Sequence, residues 1–130
     1  MAEGAGPTLV MLVAEVTNSI NIGNAEKLTT LFKSNKVDIP FEEIDGTMEE
    51  NLELRSKLFE ISNEPGVYPQ VFILEGGEYE YVGDYEKINN ANEMQAMLRE
   101  NPELKDNEEV MKSVLQTLLA KVWTQPFLGK

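Results

Sequence analysis

The sequence predicts an α/β fold in which a four-stranded mixed sheet is flanked by helices, and three observations carry that expectation. Apolar runs and helical spacing alternate as strand, helix, strand, helix, then a glycine-turned hairpin, then further helices. Two strands joined through a helix run parallel and a hairpin runs antiparallel, so one sheet would hold both kinds of pairing. The chain also has enough to bury: 42% of its 130 residues are apolar, whereas a disordered chain with a net charge of −12 would carry far fewer.

Residues 1 to 7 are small and glycine-rich and read as a flexible N-terminus. Leu9 to Val16 are almost continuously apolar, as suits a central strand covered on both faces. Asn18 to Asn24 reads as a polar loop, and the helix after it, to about Asn35, sets Leu28, Leu31 and Phe32 on one face. A second strand is expected over Ile39 to Asp45, ended by an Asp45-Gly46 turn. Thr47 and Glu50 form a capping-box pattern that would open a helix to about Ser62, its apolar face made by Met48, Leu52, Leu54, Leu58, Phe59 and Ile61.

Pro69 stands at the start of a strand over Val71 to Leu74, Gly76-Gly77 makes the turn, and Tyr79 to Val82 returns. Tyr79, Tyr81 and Tyr85 cluster near this hairpin as packing units. Gly83-Asp84 introduces a short helix, and Asn92 with Gln95 reads as the start of a second. Asn101-Pro102 breaks the chain. Asp106 and Glu109 then open the cleanest amphipathic helix, to Val122, followed by an apolar tail with the single tryptophan, Trp123. Met48, Met94, Met97 and Met111 stand at helical core spacing and read as gap-fillers.

Charge and missing residue types exclude whole classes of function. With 23 acidic against 11 basic residues, the chain repels phosphate backbones and anionic lipid, so neither nucleic acid nor membrane is an expected partner. The opening apolar run has no basic flank and is too short to span a bilayer, which makes a cytoplasmic location the expectation. Cysteine and histidine are both absent. That removes the thiolate nucleophile, the imidazole base and the usual zinc ligands, so no catalytic residue, metal or cofactor is assigned and the chain reads as a non-enzyme.

The stretch Tyr68-Pro-Gln-Val-Phe-Ile, the Gly-Gly turn and Tyr81-Val-Gly-Asp-Tyr-Glu together resemble the corresponding part of glutaredoxins. They are more similar still to the SH3-domain-binding glutamate-rich-like proteins, which keep a glutaredoxin fold without the catalytic cysteine pair. Pro69-Gln70-Val71, Gly83-Asp84-Tyr85-Glu86 and Glu50-Asn51-Leu52 with Arg55 carry the likeness, which spans roughly Thr8 to Glu100. It implies a thioredoxin-like, glutaredoxin-type domain over residues 8 to 102, with residues 103 to 130 as an added C-terminal helix and tail.

The resemblance also implies where a site would lie. The loop that carries the dithiol in glutaredoxins corresponds to Thr17, Asn18 and Ser19, where no sulfur stands and Ser19 has no histidine to activate it. Pro69 would be cis, and Tyr68, Pro69, Gly83, Asp84 and Tyr85 would flank a groove that in relatives takes a peptide-like ligand such as glutathione. Asp84 sets a negative charge where the glutathione carboxylate would sit, which weakens that second reading. Beyond the family-like segment, Val110, Val114, Leu118, Trp123 and Phe127 are candidates either for packing on their own domain or for docking on a partner. The leading expectation is a redox-inactive adaptor or structural subunit that binds protein partners in a cytosolic or cytoskeletal complex.

Overall fold

The computed structural model describes residues 6–15, 17–37 and 41–128; most of the expected flexible start and the predicted strand ends at Val16 and Ile39 lie outside them. Four strands form one sheet: β1 (Thr8–Val13), β2 (Phe41–Asp45), β3 (Gln70–Glu75) and β4 (Glu78–Asp84). Their order across the sheet is β2-β1-β3-β4, with β1 parallel to β2 and antiparallel to β3, and β3 antiparallel to β4. The helices are α1 (Ser19–Ser34), α2 (Leu52–Ser62), α3 (Tyr85–Glu100), α4 (Glu108–Ser113) and α5 (Leu115–Leu118). This is the mixed, helix-flanked sheet that the element order predicts.

The near-continuous apolar run of β1 is explained by its neighbours. Alternate side chains point to opposite faces, and here both faces are covered. Leu9, Met11 and Val13 join Leu28, Leu31 and Phe32 of α1 and Ile88 and Ala91 of α3 in one core cluster. Val10 and Leu12 join Ile44, Phe72 and Leu58 of α2 in the other. Tyr79 and Tyr81 pack edgewise or tilted on Phe72 in this second layer, at ring-centroid distances of 6.4 and 5.3 Å. Tyr85 packs in the first layer, apart from them.

Several local expectations are corrected by tertiary contacts. The polar stretch Asn18 to Asn24 is no loop: helix α1 begins at Ser19, with the Asn18 side chain accepting from the Asn21 amide at 2.8 Å. Thr47 and Glu50 form no capping box, because the Thr47 hydroxyl donates to Asp45 at 2.6 Å and a 3-10 turn over Glu49–Asn51 leads into α2. Helix α3 is continuous through Asn92 and Gln95. These residues look like caps, yet Asn92 accepts from Asn35 at 3.0 Å and the buried Gln95 bonds Gln116. Met48 and Met97 are exposed rather than core, and Met94 and Met111 are half-buried.

The added C-terminal amphipathic helix is broken in two. Val114 is extended (φ −77°, ψ 158°), and the Gln116 amide donates to the Gln95 side chain at 2.9 Å instead of to a carbonyl one turn back. The break turns this segment inward. Val114, Leu115, Leu119, Val122 and Trp123 are all buried, and all but Val114 belong to the cluster that holds α1 and β1. Leu118 and Phe127 pack against the same cluster, while Val110 is half-buried. The stripe weighed as a docking face is thus part of the domain's own core, and the core does not stop at residue 102.

Gln116 fastens the tail. Its amide oxygen accepts from Gln95 and from the Leu128 amide, each at 3.0 Å, and its Nε2 donates to the Leu128 carbonyl at 2.8 Å. Truncating Trp123 to alanine should therefore cost on the order of 3–5 kcal/mol of unfolding free energy, whereas Ile20→Ala, at a side chain 70% exposed, should stay within about 0.5 kcal/mol. Urea unfolding monitored by circular dichroism measures both. Equal, small losses would mean that the C-terminal segment contributes nothing to this core.

Candidate functional site

The sheet register brings three separate chain segments to one end. Gln70 pairs with Leu12 on one side and Asp84 on the other. The turn after β1, the residue pair before β3 and the β4–α3 junction therefore meet at the same sheet end, and this is where the resemblance locates its groove.

At the first of these segments, Thr17, Asn18 and Ser19 form the entry to α1. Asn18 caps the helix, and the Thr17 hydroxyl accepts from Asn21 Nδ2 at 2.9 Å. Ser19 is exposed at the first helical position. The residues thus serve a helix start, and Ile20 next to them presents a 70% exposed apolar side chain. Helical phase gives no signal of this exposure, since at about 100° per residue Ile20 falls within about 20° of the buried Leu31 around the helix.

At the second segment the Tyr68–Pro69 peptide is cis, as the resemblance implies. Gln70, fully buried, donates from Nε2 to the carbonyls of Glu64 and Val67 at 2.7 and 2.9 Å and so ties down the chain before Pro69. Tyr68 turns to the α2 layer, where its ring meets Phe59 at 5.6 Å between centroids. Tyr81 donates its hydroxyl to Glu64, and burial together with that carboxylate raises its pKa above the ordinary phenol value.

At the third segment Asp84 caps α3, accepting from the Lys87 amide at 3.0 Å. Gly83 is buried, and a Cβ there would come within 2.9 Å of the Lys87 side chain, so the first turn of α3 closes over it. Tyr85 turns to the α1 layer. Tyr68 and Tyr85 therefore lie near one another in the sheet but on opposite faces, and their rings do not line one wall. Both helix N-termini at this end are satisfied from within, by Asn18 and Asp84, which leaves less of the positive helix end for an external anion.

Asp45 joins this end to β2 and was visible in the sequence only as a turn residue. Its Oδ1 accepts from the Thr47 hydroxyl, from the Thr47 amide at 2.9 Å and from the Glu15 amide at 3.1 Å. The Gly46 amide donates to the Val13 carbonyl at 2.7 Å. Arg55 Nη1 donates to the Gly46 carbonyl at 3.1 Å, with its guanidinium over the Phe59 ring. One carboxylate thus holds the turn after β1 against the turn after β2. The Asp-Gly-Thr spacing was the available signal, being that of a side chain bonding the amide two residues on.

No cluster of histidine, cysteine or acidic side chains arranged for a metal ion occurs among the described residues, and no described helix is long and apolar enough to cross a membrane.

No protein-family model and no curated protein matches the chain. Among solved structures it is similar to wild-type actin-interacting protein 5, with 23% identity over 74% of this chain and 92% of that one and a TM-score of 0.51. Likeness at that level speaks to fold alone, and it agrees with a thioredoxin-like sheet flanked by helices.

Asp45 makes the site sensitive to acid. Burial pushes its pKa upward, but the hydroxyl and amide of Thr47 and the amide of Glu15 outweigh it, so the folded value lies below the ordinary one. A depressed carboxylate contributes stability that is present above the unfolded pKa of about 4 and is lost as pH falls through the lower folded value. Asp45→Asn should thus destabilise the chain at neutral pH, and the gap between variant and native chain should narrow as pH drops below about 4. Urea titrations across that range would show a constant gap if Asp45 bears no such linkage.

Proposed function

We propose that the chain is a redox-inactive, glutaredoxin-type domain related to the SH3-domain-binding glutamate-rich-like proteins, and that it works without catalysis as a protein-interaction adaptor in an actin-linked, cytoplasmic assembly. The observation that carries this reading is the turn after β1. Where a glutaredoxin would hold its thiol pair, Thr17 and Asn18 are engaged in starting α1, in a chain that contains no cysteine. A thiol–disulfide exchange needs an attacking sulfur, and this scaffold supplies none.

Binding to protein is supported on two grounds. The apolar side chain of Ile20 projects from the same turn, with Ile22 41% exposed beside it, whereas the negative field of the chain opposes phosphate and anionic lipid. Actin enters through the neighbour of like fold, which is named as an actin-interacting protein.

The expected result is that the purified chain sediments with actin filaments at high speed and stays in the supernatant without them, and that it shows no glutathione-dependent disulfide reductase activity above background. A chain that stays in the supernatant at saturating filament would remove actin from the reading. Reductase turnover would remove its non-catalytic half.

A further inference from the structure

The edge of the sheet formed by β2 has properties that the site at the sheet end does not use. Strand β2 pairs only with β1 among the described residues, so the hydrogen-bonding groups along its outer side face away from the sheet. Its side chains alternate. Phe41 and Glu43 stand opposite Leu9 and Met11, which belong to the α1 layer, whereas Ile44 belongs to the α2 layer.

Between this edge and α1 runs a trough made of two cavities that share Thr29 as a wall. One, of about 100 Å³, is lined by apolar side chains, among them Leu9, Phe32, Val37 and Phe41. The other, of about 280 Å³, has a floor of Val13, Ala14 and Ala25 and a rim of Glu15, Glu26 and Glu43. The ion pairs among the described residues both belong to Lys121, so no described cation pairs with any of these three carboxylates. Phe41 and Ile22, at the two ends, are 38% and 41% exposed.

We propose that β2 and this trough take up an extended segment of a partner protein as an added strand, with an apolar residue two positions from a lysine or arginine. An added strand would place alternate side chains over the α1 layer. The position beside Phe41 meets an apolar hollow, and the next on the same face meets Glu43, with Glu26 and Glu15 close by. Lys33 lines the apolar end, which directs a cationic side chain to the other. A second copy of this chain is a poor occupant, because pairing two β2 edges would bring the Glu42-Glu43 pairs of both copies together in a chain whose net charge is −12. A basic, extended segment satisfies both the backbone edge and the uncompensated rim.

This inference rests on the protein-binding reading above but not on actin, and its test contains none. The probe is an acetylated, amidated Thr-Val-Thr-Lys-Thr peptide, whose valine and lysine share one strand face, titrated into the isotope-labelled chain and followed by amide chemical shifts. Saturable shifts in residues 41–45 and along the β2-facing side of α1 are expected. Binding should weaken roughly tenfold in Glu43→Lys and in Glu26→Lys, and also when salt is raised from about 0.05 to about 0.5 M. A peptide N-methylated at alternate residues, with the same charge but a blocked edge, should bind at least about tenfold more weakly. Circular dichroism of each variant separates lost binding from lost fold. No saturable shifts with the Lys peptide, equal binding of the N-methylated peptide, equal binding of a Thr-Val-Thr-Glu-Thr peptide, or shifts indifferent to both charge reversals in folded variants would each overturn the proposal.

Discussion

Every layer of this molecule depends on burying β1 on both faces. A strand with period-two side chains can hold two helical layers only if both of its faces are apolar, and Leu9 to Val13 meet that demand with Leu9, Met11 and Val13 on one side and Val10 and Leu12 on the other. β2 and β3 both pair with this strand, so the parallel and antiparallel halves of the sheet are joined through it. A one-residue slip would exchange the two sets. Both faces would still be apolar, but Asp45 would no longer meet the Glu15 amide, nor Gly46 the Val13 carbonyl. Apolar burial makes the strand central, and the polar contacts at its end set its register.

Buried polar side chains do similar work elsewhere. Gln95 and Gln116 are almost wholly buried and satisfy one another, and Gln116 also receives and returns the bonds of Leu128. Asn35, likewise buried, links the end of α1 to Asn92 and Arg99 of α3 and to Gln125 of the tail. An unmet buried amide costs on the order of 1–3 kcal/mol. Alternative packings of the C-terminal segment must leave several such groups unmet. Hydrophobic area alone would allow the tail to lie in many ways, and these amides select one.

The same amides mark the boundary of what the sequence revealed. The strands, the hairpin turn at Gly76-Gly77 and the break at Asn101-Pro102 rest on local signals and appear near where those signals place them, though β1 ends at Val13 and α2 begins at Leu52 without the expected capping box. The cis Tyr68–Pro69 bond followed from resemblance rather than from composition. Asn92, Gln95 and Gln116 have no local signature of a tertiary contact. The first two imitate a helix start, and the third sits in a helical pattern that its own partner interrupts. The C-terminal stripe stayed open between packing and docking for a related reason, because Val114, Leu118 and Trp123 are as apolar as an interface requires and only the fold shows which surface they meet. Of the sheet-end site, the position of Thr17 to Ser19 was legible, but the divergence of Tyr68 and Tyr85 depended on knowing which face each strand end presents. The β2 trough was hidden altogether, since Glu15, Glu26 and Glu43 converge only through parallel pairing.

The two helix starts at the sheet end show what a chain without cysteine can do with its helix N-termini. A helix N-terminus offers unpaired amides and a partial positive charge, which lower the pKa of a thiol placed there and so favour its reactive form. A scaffold that keeps a thiol must leave part of that potential uncommitted. With no thiol to stabilise, the free amides are simply a cost, and Asn18 at α1 and Asp84 at α3 remove it, each cap being worth about 1 kcal/mol. At this sheet end both helix starts thus serve to secure the fold. Among the described residues, what remains uncommitted lies along the sides: an unpaired strand edge at β2 and a trough beside α1 whose carboxylates have no partner of opposite charge. Those are the features on which the proposed contact with a partner chain rests.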